Sequence, residues 1–268
     1  ISVPFLNGGG ILARDEATMR YLVNEVYKTA KEHGCAYAEL RHLLPVAHEG
    51  LVTSTHKVST WLPLERDEDL QWKELHTNVR NKIRKAEKNG VVVKTGKEHL
   101  SGFYSAYARN MRDLGTPVLP RTFFETVASV FVEQCEVLVA YMNGVPIGGK
   151  FVMWDKRTMY FIWASSMRPY LKYAPNDALN WAAIRFAIQK GLQKVDFGRS
   201  SPNSTHLEYK KHWGVQMAPY HWQYLLIDCA EPPILQDRRS AQIAARLWRR
   251  LPLWAANWIG PRLSRHLP

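Results

Sequence analysis

Asp196, Arg199 and Lys210 are the residues whose types and spacing most readily support catalysis. Asp196 lies at the C-terminal end of a predicted strand, where an α/β sheet presents side chains to a crevice, and its carboxylate could orient or deprotonate an attacking amine. Lys210 and Arg199 could stabilise an oxyanion or hold a phosphate group. In the structural alternative, Asp196 pairs with one of these cations or caps a turn, and the cations have no chemical role. We take Asp196 and Lys210 as the candidate catalytic pair.

A second candidate site is the basic stretch 78–88, which carries five cations and a single acid, Glu87. The apolar stripe of this predicted helix faces the core, so its basic side suits phosphate or RNA backbone. The alternative is a solvated surface whose lysines are favoured by the helix dipole. The substrate-binding candidates of this group are Arg80, Arg84 and Lys85, and His56 and Lys57, which head an earlier strand and could equally be ordinary surface residues.

Hydrophobic periodicity and the glycine and proline positions predict the elements that hold these residues. The Asn143-Gly144 pair predicts a tight hairpin, because both positions tolerate positive φ. Helices are predicted over 16–33, 75–89, 97–114, 120–134, 175–190 and 205–212, and strands over 36–43, 56–64, 91–93, 137–142, 145–154, 158–164, 194–198 and 220–227.

The order helix, glycine, strand occurs twice, around Gly34 and around Gly191, with an acid at the same strand position in each copy. This predicts two related half-domains, although the order is common enough in α/β proteins to arise by chance. The second copy has three strands ahead of its helix and the first has only residues 1–10, so we expect that the first half-domain has lost its N-terminal strands. The predicted units are a partial first domain at 1–95, a second domain at 96–230 and a basic amphipathic tail at 231–268.

Composition narrows the class of protein. The chain has 268 residues, of which 46% are hydrophobic, and this is enough for a sizeable core. Its net charge of +12 favours polyanionic partners such as nucleic acid, phosphorylated substrates or an anionic membrane face. The three separated cysteines predict a reducing compartment and no structural metal. No apolar run is long enough to span a membrane and no secretory signal opens the chain, so a cytoplasmic location is expected.

Two motifs carry a family resemblance. The stretch 78–91, NVRNKIRKAEKNGV, resembles the basic helix of Fem-type (FemAB-like) peptidyltransferases, and VDFGRS at 195–200 followed by YKKHWG at 209–214 resembles their C-terminal signature. The sequences of these motifs are most similar to those of the FemAB-related proteins of exopolysaccharide and PEP-CTERM sorting systems. The resemblance spans nearly the whole chain. It implies an α/β fold of tandem GNAT-like half-domains with mixed sheets.

The resemblance also implies an activity, which is transfer of an aminoacyl group from aminoacyl-tRNA to an amine of a lipid-linked or nucleotide-linked precursor. No bound cofactor is expected. Within the signature, Ser200 is a further substrate-binding candidate, and Trp213 could stack on a base or sugar ring or could belong to the core. The Asp196-Phe197-Gly198 triplet also occurs in kinases, but the other kinase motifs are missing.

The turn at 167–176 bears on the donor. In ordinary GNAT acetyltransferases a glycine-rich turn at this place offers backbone amides to the pyrophosphate of coenzyme A. Here the turn has no glycine, which favours aminoacyl-tRNA over acyl-CoA as the donor. Arg168 and Asn176 remain candidates for contacting a substrate phosphate through their side chains.

The tail interleaves tryptophan and arginine without any acid after Ala241. Such a segment could lie on an anionic membrane surface, or it could pack on the protein itself. The candidate membrane contacts are Trp248, Trp254, Trp258, Arg249 and Arg250. With them, we expect a peripheral protein on the inner face of the plasma membrane.

The favoured reading is therefore an acyltransferase that acts on an amine of a cell-wall or exopolysaccharide precursor. The alternatives are an acyl-CoA-dependent N-acyltransferase of exopolysaccharide biosynthesis, a noncatalytic RNA-binding module and a membrane-surface scaffold. The expected partners are a phosphorylated or lipid-linked glycan precursor, tRNA and an anionic membrane, and not DNA. The sequence does not define the oligomeric state.

Overall fold

The computed structural model describes residues 8–232 and 239–265, and its elements follow the predicted α/β pattern closely. The helices are α1 (Glu16–Glu32), α2 (Glu68–Glu74), α3 (Thr77–Lys88), α4 (Leu100–Leu114), α5 (Arg121–Val130), α6 (Pro175–Gln189), α7 (Thr205–Lys211), α8 (Arg239–Trp248) and α9 (Leu253–Ser264). The strands are β1 (Tyr37–His42), β2 (Leu51–Ser54), β3 (Val58–Pro63), β4 (Val91–Thr95), β5 (Cys135–Met142), β6 (Val145–Trp154), β7 (Thr158–Ser166), β8 (Lys194–Ser200), β9 (Gln216–Pro219) and β10 (His221–Leu226).

Local sequence signals set several of these boundaries. Asp15 and Asp67 cap α1 and α2, because each carboxylate accepts a hydrogen bond from a backbone N–H of the first turn at 2.7 and 2.8 Å. Asn143 and Gly144 both have positive φ, at 50° and 76°, and they join β5 to β6 as the predicted hairpin. Capping and turn chemistry therefore place α1 and the β5–β6 hairpin as the sequence predicted, whereas α2 was not predicted.

The strands form two sheets. The larger sheet has seven strands in the order β4-β5-β6-β7-β8-β3-β9, antiparallel except for the parallel pair β7 and β8. The smaller has three strands in the order β1-β10-β2. The predicted α/β class with mixed sheets is confirmed.

Helices cover both faces of the seven-stranded sheet. On one face α3 and α6 pack over a core that includes Ile83, Leu179 and Ile184. On the other face α4 and α5 bury an aromatic cluster centred on Phe103 and Phe124. The sheet thus forms the middle layer of a three-layer arrangement, as expected for a sheet buried on both sides.

The sheets combine strands from distant parts of the chain. β3 pairs with β8 and β9 in the large sheet, whereas β10 pairs with β1 and β2 in the small one. Strands from either side of residue 95 therefore share both sheets, and the division of the chain at this residue stays a prediction. The predicted loss of strands ahead of α1 concerns residues 1–10, of which 1–7 lie outside the described residues.

The two helix-glycine-strand copies occupy different surroundings. Gly34 and Gly191 both have positive φ, at 64° and 71°, as a helix stop requires. The acid of the first copy, Glu39, is buried and forms a 2.7 Å ion pair with Arg41. The acid of the second copy, Asp196, lines a cleft. Only the second acid therefore lies at a surface that a substrate can reach.

Candidate active site

The site is built where two parallel strands part. β7 and β8 pair only from Thr158–Lys194 to Tyr160–Asp196, and both strands continue beyond this point. On its other side β8 pairs with β3 from Lys194 to Ser200, with a register shift between Thr60 and Trp61. The two strands therefore diverge directly after Asp196, and this opens the sheet at its interior.

Asp196 lies at the opening. It is partly buried, and its Oδ1 accepts a hydrogen bond from the backbone N–H of Gly198 at 2.5 Å. Burial raises the pKa of this carboxyl group, while the Gly198 hydrogen bond and the charge of Lys210 oppose the rise. A carboxylate with a raised pKa is a stronger proton acceptor, as general-base catalysis requires.

Lys210 reaches the same turn from α7. Its Nζ donates to the carbonyl oxygens of Gly198 and Arg199 at 3.1 and 3.0 Å. Burial lowers the pKa of this lysine to about 8, although the Asp196 charge acts in the opposite direction. Gly198, with φ at 75°, is the shared anchor of both residues. The structure therefore brings together Asp196 and Lys210 around one turn.

A cleft of about 730 Å³ opens in front of Asp196. Its walls are mostly apolar and come from both sheets and from the segment that precedes α1. Its lining includes Gly8–Leu12, Arg41–Val46, Tyr160–Ile162, Asp196 and Tyr220. Such a cleft, with few polar groups at its floor, has the character of a small-molecule site.

Two tyrosines of this cleft were not singled out by the sequence. Tyr160 is the parallel cross-strand partner of Asp196, and Tyr220 lies between β9 and β10. Burial raises the pKa of both hydroxyl groups to about 12, aided at Tyr220 by the Asp196 charge and at Tyr160 by the Asp155 carboxylate. They therefore remain hydrogen-bond donors at neutral pH. Knowledge of the β7–β8 register would have identified Tyr160 as a neighbour of Asp196, but hydrophobic periodicity alone does not predict that register.

The candidates His56 and Lys57 lie beside the end of β8. Lys57 Nζ donates to Ser201 Oγ at 2.7 Å, and the His56 ring meets the Trp222 ring edge-on at 5.0 Å. Burial is the main cause that lowers the pKa of both residues, and the Lys57 charge adds to it at His56. Their contacts are thus with the signature segment after Asp196 and with β10.

Arg199 and Ser200 complete this cationic corner. The Arg199 guanidinium lies 5.1 Å from the centre of the Trp222 ring, and Arg41 lies 4.5 Å from the same ring. Burial and the neighbouring Arg41 charge lower the pKa of Arg199. Ser200 is buried, and its Oγ has no hydrogen-bond partner among residues 8–232 and 239–265. The structure thus places four of the predicted substrate-binding residues together.

The two arginines of the basic helix α3 contact residues of α2. Arg80 donates to the carbonyl oxygens of Trp72 and Lys73 at 3.3 and 2.9 Å, so it satisfies the end of α2. The Arg84 guanidinium lies 5.4 Å from the centre of the Trp72 ring. Lys85 is exposed and lines a separate small pocket.

Of the three remaining candidates, two are exposed and one is buried. Arg168 and Asn176 are exposed, and Asn176 accepts a 2.6 Å hydrogen bond from Ser166. Trp213 is 1% exposed and packs against Phe197 in the core, so its ring presents no face for stacking with a substrate in this conformation. Trp213 is therefore a core residue, which is the alternative that the sequence left open.

A buried polar chain runs behind the site. Lys150 Nζ donates to Asn180 at 2.6 Å, Asn180 donates to the Tyr209 hydroxyl at 3.0 Å, and Tyr209 donates to Asp177 at 3.2 Å. Burial, with the Lys210 charge as a lesser cause, holds the pKa of Lys150 well below its ordinary value. This network links β6, α6 and α7, and it was not predictable from local sequence patterns because its members lie on three separate elements.

The tail packs on the protein and also exposes aromatic residues. Trp248 is buried, and Arg249 donates to the carbonyl oxygen of Leu114 at the end of α4. Trp254 and Trp258 are 74% and 63% exposed, and Arg250 is exposed as well. The predicted membrane contacts therefore divide into two that hold the tail and three that face solvent.

The described residues contain neither a membrane-spanning helix nor a metal-binding cluster. No helix in this part of the chain is long and apolar enough to cross a membrane. No group of three or more His, Cys, Asp and Glu side chains there is arranged to hold a metal ion.

Comparison with known proteins identifies relatives of this arrangement. The model of a family described as an acetyltransferase (GNAT) domain matches residues 73–211. A lipid II:glycine glycyltransferase of Staphylococcus haemolyticus (strain JCSC1435) is 24% identical over 93 residues, which is 32% of this chain and 22% of that protein. This chain therefore spans about a fifth of the length of that curated relative.

Solved structures share the fold. The crystal structure of FemX has a TM-score of 0.61 at 12% identity, with 85% of this chain and 83% of that chain covered. A tandem GNAT protein from the clavulanic acid biosynthesis pathway has a TM-score of 0.54 at 12% identity, with 82% of this chain and 72% of that chain covered. The predicted resemblance to Fem-type members of the GNAT superfamily is confirmed.

Proposed function

Because this chain belongs to the GNAT acetyltransferase family, we propose that it transfers an aminoacyl group from aminoacyl-tRNA to an amine of a cell-envelope precursor. The observation that carries the proposal is the pairing of Asp196 with Lys210 around Gly198, where β7 and β8 diverge. The Asp196 carboxylate lines the cleft as a proton acceptor, and the cation Lys210 is bound to the same turn through the Gly198 carbonyl oxygen. This is what attack of an amine on an ester carbonyl needs.

The reaction follows from these groups. The acceptor amine attacks the carbonyl carbon of the ester, a C–N bond forms, and the carbonyl electrons move to oxygen, where the Lys210 ammonium stabilises the charge. Asp196 takes the proton from nitrogen. The ester C–O bond then breaks and the leaving ribose oxygen takes a proton, so the net products are an amide and a free tRNA hydroxyl. The Tyr220 hydroxyl group supplies a further donor in the cleft, whereas the Tyr160 hydroxyl group donates to Asp155 at 2.7 Å.

The preference for this donor rests on the start of α6. Pro175 has no backbone N–H, and the Asp177 side chain occupies the first turn of the helix. A helix start with free backbone amides binds the pyrophosphate of coenzyme A well. The start of α6 lacks this arrangement and is therefore a poorer site for the pyrophosphate. The relative with glycyltransferase in its name supports an aminoacyl group and a lipid-linked acceptor. An acyl-CoA donor is the alternative in the same class.

A single-turnover assay tests the proposal. Charged tRNA and acyl-CoA are offered separately with the precursor pool, and new amides are identified by mass spectrometry. We expect transfer from charged tRNA, and its loss in Asp196→Asn. A matched control is Asp69→Asn, which removes an exposed acid of α2 far from the pair in sequence. Tight tRNA binding without transfer from either donor would instead support a noncatalytic RNA-binding protein.

We further propose that the acceptor is met at a membrane surface, with the protein peripheral on the inner face of the plasma membrane. The exposed apolar residues of α8 and α9, among them Leu247, Trp254 and Trp258, alternate with arginines, and no acid is present in either helix. Tryptophan suits the interface and arginine the anionic headgroups. Exopolysaccharide precursors remain candidate acceptors together with cell-wall precursors.

Vesicle sedimentation tests this surface. In Arg246→Gln/Arg250→Gln, loss of about 1 kcal/mol per basic residue should weaken binding to anionic vesicles about 30-fold. The control Lys28→Gln/Lys31→Gln removes the same charge from α1 and should bind as the wild type does. Equal weakening in both variants would mean that net charge, and not this face, draws the protein to lipid.

A further inference from the structure

The start of α6 offers few free N–H groups to an anion. Its first residue, Pro175, offers no N–H, and the N–H groups of Asp177 and Ala178 already donate to the Ala174 carbonyl oxygen at 3.1 and 3.2 Å. The Asp177 carboxyl group is buried in this turn and accepts the Tyr209 hydroxyl. A phosphate placed here would meet an acid in place of free amides, so the phosphates of a donor need another site.

A pocket of about 300 Å³ lies between α3 and the end of α7. Its side chains are two ammonium groups, two amides, an imidazole and one apolar residue. They belong to Asn78, Val79, Asn81, Lys82, Lys85 and His212. Ammonium and amide N–H groups are the donors that tetrahedral oxyanions accept, and the lining contains no acid.

The two lysines of α3 line this pocket, whereas the two arginines of the same helix do not. Arg80 is held by backbone carbonyl oxygens and Arg84 by an indole ring. Within residues 8–232 and 239–265, neither Lys82 nor Lys85 takes part in a salt bridge, and both are exposed. The Lys82 charge acts on the buried Asp177 carboxyl group, where it opposes the rise in pKa that burial causes, but no carboxylate of the described residues lies within ion-pair distance of either lysine.

The pocket adjoins the start of α6. Lys82 Nζ lies 5.5 Å from the centre of the Tyr209 ring, and Tyr209 hydrogen-bonds both Asp177 and Asn180. The residue after Tyr209 is Lys210, which contacts the Gly198 turn of the candidate active site. An anion bound at Lys82 thus lies one short helix away from the groups that we place at the reaction centre.

We infer that the pocket formed by Lys82, Lys85, Asn78, Asn81 and His212 binds a phosphate group of the acyl donor, in place of the start of α6. The inference rests on the proposed function for the identity of the ligand as a donor. The shared chemistry is a phosphate anion, whether from the backbone of an RNA or from the pyrophosphate of a nucleotide-linked acyl carrier.

Binding measurements on the full chain test the site. The probes are a fluorescein-labelled single-stranded RNA, coenzyme A and inorganic pyrophosphate, each titrated over a range of salt concentrations. The variant Lys82→Gln/Lys85→Gln is compared with Lys73→Gln/Lys88→Gln, which removes the same charge from exposed lysines of α2 and α3 outside the pocket. Circular dichroism confirms that both variants are folded.

The expected loss follows from counterion release. Each phosphate contact on a single strand contributes about 0.7 to the slope of log K against log salt, so two lost contacts lower the slope by about 1.4 and the affinity by about 25-fold at about 0.1 M salt. The control should lose much less. If the pocket variant loses affinity for RNA, the donor is a tRNA. If it loses affinity for coenzyme A, the donor is nucleotide-linked. Either result supports the pocket.

Two results would overturn the inference. One is equal weakening in the pocket variant and the control, which would mean diffuse attraction. The other is unchanged affinity of the pocket variant for all three probes. The transfer assay distinguishes this failure from failure of the proposed function. If the wild type transfers the aminoacyl group and the pocket variant transfers it equally well, only the phosphate site is refuted. Wild-type protein that binds through the pocket but transfers nothing refutes only the proposed reaction.

Discussion

Replacing Lys210 by arginine should remove the alkaline limb of the transfer reaction. The pKa of Lys210 is lowered to about 8, mainly by burial, so this lysine loses its proton in a range where ordinary lysines keep it. About nine tenths of the side chain is charged at pH 7 and about one tenth at pH 9. If the charged form stabilises the oxyanion, kcat/KM falls about tenfold over this interval for this reason alone.

Arginine remains charged throughout, because its pKa exceeds about 12 in proteins. Its guanidinium can still donate to the Gly198 and Arg199 carbonyl oxygens that Lys210 contacts. The ratio of wild-type to Lys210→Arg activity should therefore drop about tenfold between pH 7 and pH 9. Titration of the acceptor amine and hydrolysis of the donor ester affect both proteins equally, and the ratio removes them.

The assay is single-turnover transfer from charged tRNA at several pH values, with Lys210→Met as a second variant. Loss of the cation in Lys210→Met should cost about 10²- to 10³-fold in rate at neutral pH. A ratio that stays flat between pH 7 and pH 9 would refute the reasoning, as would an alkaline limb in Lys210→Met identical to that of the wild type. In either case another group would be responsible for the pH dependence.

Three further variants probe the stability of the site and of the tail. Asp196→Asn should melt at a higher temperature than the wild type at neutral pH, because the raised pKa of Asp196 means that its charge opposes folding, and this difference should vanish at acid pH; a wild type that is the more stable at neutral pH would contradict it. The pKa of Lys150 lies well below 10.5 in the folded protein, so the unfolded chain binds one more proton between the two values. Chemical unfolding should show wild-type stability gaining up to about 1.4 kcal/mol per pH unit over Lys150→Met in this window, and a constant difference would exclude a neutral amine. In Gly260→Ala the new Cβ would lie 2.9 Å from Val118, so the variant should lose about 1–3 kcal/mol in denaturant unfolding, whereas Trp258→Ala at an exposed position should not; equal losses would show that the contact is unimportant.

Local signals were sufficient to predict most elements, because each depends on a few neighbouring residues. The Asn143-Gly144 hairpin and the helix stops at Gly34 and Gly191 have the positive φ values that their sequences require. Pairing between strands was not predictable in this way. The alternation of β3 shows which face is buried, but nothing in it shows that β8 and β9 are its neighbours. The short strands β2 and β9 were missed altogether.

The candidate site was predictable where the chain itself brings residues together. Asp196 and Lys210 are separated by one turn and a short helix, and both contact Gly198, whereas the Arg199 guanidinium lies over the Trp222 ring. The cleft walls come from distant segments, and Tyr220 in particular gave no local signal. A helical pattern also shows which residues face outward and not what each one contacts, which is why Arg80 was expected to bind phosphate although it holds the end of α2.

The position of β10 between β1 and β2 has a consequence for biosynthesis. The strand that joins the two halves of the small sheet is made late, long after its partners have left the ribosome. Until then β1 and β2 are two unpaired edges that carry apolar residues, a state prone to self-association. We therefore expect nascent chains to need a chaperone until residue 226 has emerged, and premature termination before this point to yield a polypeptide that is degraded.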